Sequence, residues 1–135
     1  LMQLRELSPE GPDELRWEGL TIKSAPTNHI EGSLAFRLEA ESRSLVYSGD
    51  TDVSDSLVAL AQGADLLVLE ASFPSKVPGH LTPTEAGRLA ARAGVGRLLL
   101  THFYPPCDAV DVVALAAQEF SGEILRAEDG LKYRL

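Results

Sequence analysis

The sequence predicts an α/β fold built on a mixed β-sheet, antiparallel in its N-terminal part and then alternating strand with helix, with the helices on one face. Three observations carry this. Leu34, Phe36 and Leu38 alternate with Ala35, Arg37 and Glu39, the period-2 pattern of a half-buried strand, and a turn at Glu41-Ser42-Arg43 leads into a second run, Leu45-Val46-Tyr47. Beyond Tyr47, continuous apolar runs at Leu66 to Leu69 and Leu98 to Leu100 read as strands buried on both faces, separated by segments of helical period. Strands joined through helices pair in parallel by right-handed crossovers.

The elements follow in order. Ser8-Pro9-Glu10-Gly11-Pro12 reads as a turn with short strands on either side, and Met2 falls in what reads as the middle of a strand. Asp52 is placed to cap a helix whose apolar residues Val53, Leu57, Leu60 and Ala61 share one face, with Gly63 ending it. The next helix has the fullest signature: Thr82 at the N-cap, Pro83 in the first helical position, Glu85 completing a capping box, and Gly94 beyond the last turn. Asp108 is placed to cap a third helix running to about Phe120. Gly122 precedes a short strand at Ile124-Leu125, and Asp129-Gly130 predicts a hairpin into Tyr133.

Composition narrows the function. The chain has 135 residues, enough for one domain or part of one, and at 44% hydrophobic residues it can bury a core. Cys107 is the single cysteine, so an intramolecular disulfide is excluded. No apolar run approaches the roughly 20 residues of a membrane span, and no basic segment followed by an apolar stretch opens the chain, so a cytoplasmic location is expected. Twenty acidic against twelve basic residues, a net charge of −8, disfavour unspecific attraction to nucleic-acid phosphates. Neither G-x-G-x-x-G nor G-x-x-x-x-G-K occurs, which argues against a flavodoxin-like nucleotide module.

In a parallel sheet the carboxyl ends of the strands share one edge, and ligands bind there. Asp50 follows the strand ending at Tyr47, Glu70 follows Leu69, and His102 follows the strand ending near Leu100. His80 lies in the loop before the Thr82 cap, and Gly49 and Gly79 permit close backbone approach. Taken singly, such an Asp is a common turn former and such a His a common loop residue. Together they point to a metal or an acid–base site, since carboxylate oxygen and imidazole nitrogen are the ligands zinc uses in hydrolytic centres. His29 reads as a structural residue that hydrogen-bonds a loop backbone, Cys107 as a small loop or core residue, and Arg88, Arg92 and Arg97 as members of a solvated face.

Five stretches, in order and with matching spacing, resemble the C-terminal half of metallo-β-lactamase-fold hydrolases of the ribonuclease Z and phosphodiesterase branch. His29 with Ser33 to Glu39 is similar to the family's "H-x-x-x-S-x-G-Y-R-x-E" stretch. Leu45 to Thr51 is similar to the strand bearing the aspartate that bridges two metals. Glu70-Ala71-Ser72-Phe73 resembles "E-A-T-F", Gly79 to Ala86 resembles "H-x-T-x-x-E-A", and Leu100-Thr101-His102-Phe103 resembles the strand end bearing the last histidine ligand. The family's His-x-His-x-Asp-His motif and the isolated histidine after it are absent, since the chain has only His29, His80 and His102. The resemblance therefore implies that residues 1–135 are the C-terminal half of a metallo-β-lactamase-like domain, half of an αββα sandwich.

For the intact protein it implies a metal-dependent hydrolase, with a phosphodiester as the favoured substrate, holding two divalent ions with zinc as the expected metal. Asp50 would bridge the ions, His102 would complete one of them, and hydroxide generated there would attack. His80 would protonate the leaving oxygen with Glu70 orienting it. The chain alone would be incomplete and inactive, and small phosphodiesters and RNA both remain open as substrates. A second reading makes the chain a non-catalytic half-domain acting through association, as a dimer with itself or with a complementing chain, because a half sandwich leaves an apolar sheet face open.

Overall fold

The computed structural model describes residues 4–135. Seven strands form one sheet in sequence order: β1 (Asp13–Trp17), β2 (Leu20–Pro26), β3 (Leu34–Ala40), β4 (Arg43–Tyr47), β5 (Leu66–Glu70), β6 (Arg97–Thr101) and β7 (Glu123–Arg126). Neighbours from β1 to β4 are antiparallel, and β4 to β7 are parallel. Two reversals thus leave β2 running in the same direction as β4 to β7. The helices are α1 (Asp55–Ala61), α2 (Pro83–Ala93) and α3 (Val112–Ala116), with a 3₁₀ turn at Pro105–Ala109.

The α/β architecture expected from the patterning is the one observed. Val46, Leu67 and Leu98 stand in register across β4, β5 and β6, and with Leu57 of α1 and Leu89 of α2 they form a buried core. Each such side chain contributes about 1.5–3 kcal/mol when removed from water. Arg37, in register with Val46, sends its guanidinium to the carbonyls of Leu60 and Gln62, which closes the C-terminal end of α1. On the opposite face the aligned residues are Ile22 with Leu38, Leu45 with Leu66, and Tyr47 with Val68. The helices pack on the first face only. On the second, Leu66 is buried, but Ile22, Leu38, Leu45 and Val68 are half-buried and Tyr47 is 47% exposed.

Helix α2 begins and ends as its sequence indicates, with the Thr82–Glu85 capping box, Pro83 in the first position and Gly94 left-handed at φ 61°. Its contact with α3 depends on Gly87: a β-carbon there would lie 2.2 Å from the Ala116 carbonyl oxygen. Alanine is the better helix former by about 1 kcal/mol, but the clash is with backbone, and overpacking of this kind costs about 1–3 kcal/mol. Gly87→Ala is therefore expected to lower the urea midpoint of unfolding, whereas a raised midpoint would show that the α2–α3 contact yields freely.

Five expectations are corrected. Asp52 does not cap α1; Ser54 does, its Oγ accepting from Leu57 N–H, because the Asp52 carboxylate is taken by Lys76 and the Gly79 N–H. Asp108 does not cap α3 either. Pro105-Pro106 open a 3₁₀ turn, Asp108 pairs with Arg126, and Asp111 caps the helix through Ala114 N–H. That helix ends at Ala116, after which Gln118 and Glu119 bond three residues back, swinging buried Phe120 inward beneath Gly122. Asp129-Gly130 forms a turn, but residues 131–135 pair with no strand. At the other end β1 follows the turn at 8–11, residues 4–7 form no strand, and the strand expected around Met2 lies outside the described residues.

Glu39 on β3 connects the fold to pH. Hydrogen bonds from Lys23 and Arg37 outweigh partial burial and hold its carboxyl below the ordinary value near 4.5. A depressed folded-state value adds stability that is present above the unfolded value and lost as pH falls through the folded one. The free energy of unfolding is accordingly expected to be flat above about pH 5 and to decline below it, with a shallower decline in Glu39→Gln. Equal slopes in the two proteins would remove Glu39 from this account.

Candidate metal centre

Because β4, β5 and β6 are parallel, their carboxyl ends bring Asp50, Glu70 and His102 to one edge. Asp50 Oδ1 lies 3.3 Å from His102 Nε2, as the placement at neighbouring strand ends requires. Two ligand atoms at about 2.0–2.2 Å on the corners of a tetrahedral ion are about 3.3–3.6 Å apart, so this pair suits a shared divalent cation. His102 adopts φ 60°, a left-handed conformation that costs a non-glycine residue on the order of 1 kcal/mol or more and here turns the chain sharply out of β6. Both side chains are about two-fifths exposed, open to a ligand from the edge.

Glu70 is the opposite case, 1% exposed and fully engaged. Its Oε1 accepts from Thr51 N–H at 2.8 Å and from His80 Nδ1 at 3.0 Å; its Oε2 accepts from Ser72 Oγ and from Leu81 N–H at 3.0 Å. Four donors around one carboxylate suit its ionised, acceptor-only form. Against such an acceptor His80 Nδ1 is the donor, and Nε2 lies outside the Glu70 bond. The Glu70 backbone N–H in turn donates to Ser48 Oγ, so the β4 and β5 ends are tied together at the same place.

His29 is the residue that sequence reasoning placed least well. Its Nδ1 hydrogen-bonds the Gly79 carbonyl at 2.8 Å, the loop contact expected of it, but its Nε2 also lies 3.8 Å from Asp50 Oδ2. One donor atom each from His29, Asp50 and His80 fall within 4.8 Å of one another. The signal was present: β2 runs parallel to β4, so the carboxyl end of β2, three residues before His29, obeys the same edge rule. Gly79, at φ 85°, also serves this contact, since a β-carbon there would lie 3.2 Å from His29 Nδ1.

Around the site, Asp52 and Lys76 form an ion pair. Partial burial opposes the Asp52 charge, but Lys76 and the Val53 and Gly79 N–H groups prevail and hold its carboxyl below the usual range. Burial likewise opposes the Lys76 charge, and hydrogen bonds to Asp52 and Glu85 more than offset it. Cys107 is a buried core residue, as expected. Its thiol donates to the Ala71 and Ser72 carbonyls, and burial pushes its pKa up. Arg88, Arg92 and Arg97 pair with Glu119, Asp55 and Glu123 on a solvated face.

A family profile described as "Beta-lactamase superfamily domain" matches residues 1–103. The chain belongs to the metallo-β-lactamase superfamily. The metallo-beta-lactamase fold protein YhfI from Bacillus subtilis superposes with a TM-score of 0.80 at 34% identity, covering 93% of this chain and 53% of that one. The short form of human tRNase Z superposes with a TM-score of 0.66 at 28% identity, covering 87% of this chain and 44% of that one. Among sequences, the ribonuclease Z of Mycobacterium tuberculosis is 40% identical over 124 residues. An uncharacterized protein of the same organism is 44% identical over 110 residues. The chain spans 45% of the first and 40% of the second, less than half of either relative. This superfamily is one of metal-dependent hydrolases, and the spacing of the Asp50–His102 pair and, separately, of the trio His29, Asp50 and His80 suits donors to a divalent cation. No helix among the described residues is long and apolar enough to cross a membrane.

Proposed function

We propose that this chain forms one wall of a metal-dependent phosphodiesterase site. Asp50 and His102 hold divalent metal, zinc being the expected ion and two ions the expected number in the intact enzyme. When bound, such ions bring the pKa of water toward neutrality and supply the nucleophile. His80, carrying a second proton on Nε2 as the imidazolium, gives that proton to the departing oxygen, and Glu70 keeps its Nδ1 protonated and its Nε2 toward the substrate. The observation that carries this reading is the 3.3 Å approach of Asp50 to His102 beside a histidine oriented by a buried carboxylate. A small phosphodiester and an RNA linkage share this chemistry. Kinship with ribonuclease Z supports the RNA substrate, and the net charge of −8 supports the small one.

The remaining metal ligands come from a complementing half, which also covers the open sheet face around Leu45, Tyr47 and Val68; a second copy of the chain is the alternative cover. Residues 1–135 are then the C-terminal half of the domain, working in the cytoplasm. The test supplies the chain with the complementing half proposed here, loads the product with zinc, and compares phosphodiesters of differing leaving group. A proton donor matters most for a poor leaving group. His80→Ala should therefore slow hydrolysis of an alkyl ester by about 10²–10⁴-fold and of a p-nitrophenyl ester far less. Equal losses on both esters would remove His80 from proton transfer.

A further inference from the structure

The loop that delivers His80 has little structure of its own. Between Phe73 and Leu81, the backbone bonds that hold it are His80 N–H to the Val77 carbonyl at 3.2 Å and Phe73 N–H to the Leu81 carbonyl at 3.5 Å. Glu70 grips the imidazole from the core side. The outer side is gripped by residues that the reading of the site leaves unused. Lys76 Nζ donates to the His80 carbonyl at 3.0 Å and to Glu85 Oε2 at 3.2 Å, and it pairs with Asp52. The other oxygen of Asp52 accepts from Gly79 N–H at 3.0 Å, while the Asp52 N–H donates to the Asn28 carbonyl at 2.7 Å. Asp52 stands two residues after Asp50 and Asn28 is next to His29, so this one residue, through its carboxylate to the 76–80 loop and its backbone N–H to Asn28, ties together three loops that meet at the site.

We propose that Asp52 and Lys76 are a positioning pair that holds the 76–80 loop so that the His80 imidazole stays between Glu70 and Asp50. Half-exposed ion pairs contribute only about 0–1 kcal/mol to stability, so general stabilisation is a weak reason for this arrangement. Its geometry is directed: Lys76 binds the carbonyl of the functional histidine itself, and Asp52 binds the amide immediately before it. The same Lys76 reaches Glu85, the capping-box residue of α2, which anchors the loop to the most firmly initiated helix in the chain.

The inference rests on the reading of His80 as the proton donor, and its test is independent of hydrolysis. The isotope-labelled 135-residue chain, free of metal, is followed by NMR. In the parent protein the His80 Nδ1 proton should be protected by Glu70, and the His29 and His80 rings, with centroids 5.0 Å apart, should show a cross-relaxation peak. Lys76→Met should speed exchange of that proton by about tenfold or more and weaken the ring peak, with the α2 amides and the urea midpoint unchanged. Lys76→Arg should restore both signals. Asp52→Asn keeps an acceptor for Gly79 N–H but loses the charge, and should resemble Lys76→Met; if it fails to fold, Lys76→Met, at a more exposed position, carries the test. His80 signals unchanged in Lys76→Met, or loosening shared equally with α2, would overturn the proposal. Failure of the leaving-group test with these NMR results intact would instead overturn the assignment of His80 as donor.

Discussion

Asp50→Ala should abolish divalent-ion binding at this edge. Asp50 is common to both donor sets there, the pair with His102 and the trio with His29 and His80, so no arrangement of the remaining groups replaces it. Loss of a supporting partner alone weakens metal binding by about 10–100-fold, and loss of a ligand should exceed that. Cobalt(II) titration followed by absorption measures this directly. The isolated chain should itself hold zinc weakly after desalting, because a catalytic site needs three protein ligands and the Asp50–His102 pair supplies two. With the complementing half proposed above, zinc retention and hydrolysis should both recover, and Asp50→Ala should remove both. Retained affinity in Asp50→Ala would mean that the histidines bind metal without the carboxylate, contrary to the assignment made here. Tight binding of one equivalent by the isolated chain would make His80 or His29 a ligand.

Glu70→Ala should be strongly destabilising. It leaves four donors in the interior, from Thr51, Ser72, His80 and Leu81, without their acceptor. Each unsatisfied group costs about 1–3 kcal/mol, and allowing for relaxation and an entering water the total should be at least about 3 kcal/mol. Glu70→Gln should recover only part of this. Its amide nitrogen is a donor that must face donors on one side or the other, and while the Ser72 hydroxyl can turn to accept, the Leu81 N–H cannot. Urea unfolding gives the comparison, and a loss below about 1 kcal/mol for Glu70→Ala would show that the carboxylate is not the hub its contacts indicate. The Glu70→Gln protein, if folded, should also show faster exchange at His80, since Glu70 and the outer loop contacts act on the same ring from opposite sides.

Much of this molecule was legible in the linear chain because its physics is local. Alternation at Leu34 to Leu38, unbroken apolar runs at Leu66 to Leu69 and Leu98 to Leu100, and the Thr82–Glu85 box each concern neighbours within a turn or a strand. The edge rule for parallel strands then carried Asp50, Glu70 and His102 to one place with no further information. The two misplaced caps share one cause. Asp52 and Asp108 each have the composition of a cap, but a cap bond has a worth of only about 1 kcal/mol, and partners brought from elsewhere in the chain outcompete it. Lys76 and Gly79 take Asp52, and Arg126 takes Asp108. His29 reaches the site only because two antiparallel reversals turn β2 parallel to β4. The sequence by itself therefore determined the elements from β3 to β6, the chemistry of the donors and the edge on which Asp50, Glu70 and His102 gather. The tertiary structure alone decided which carboxylate binds which loop, because that choice depends on contacts between segments distant in sequence.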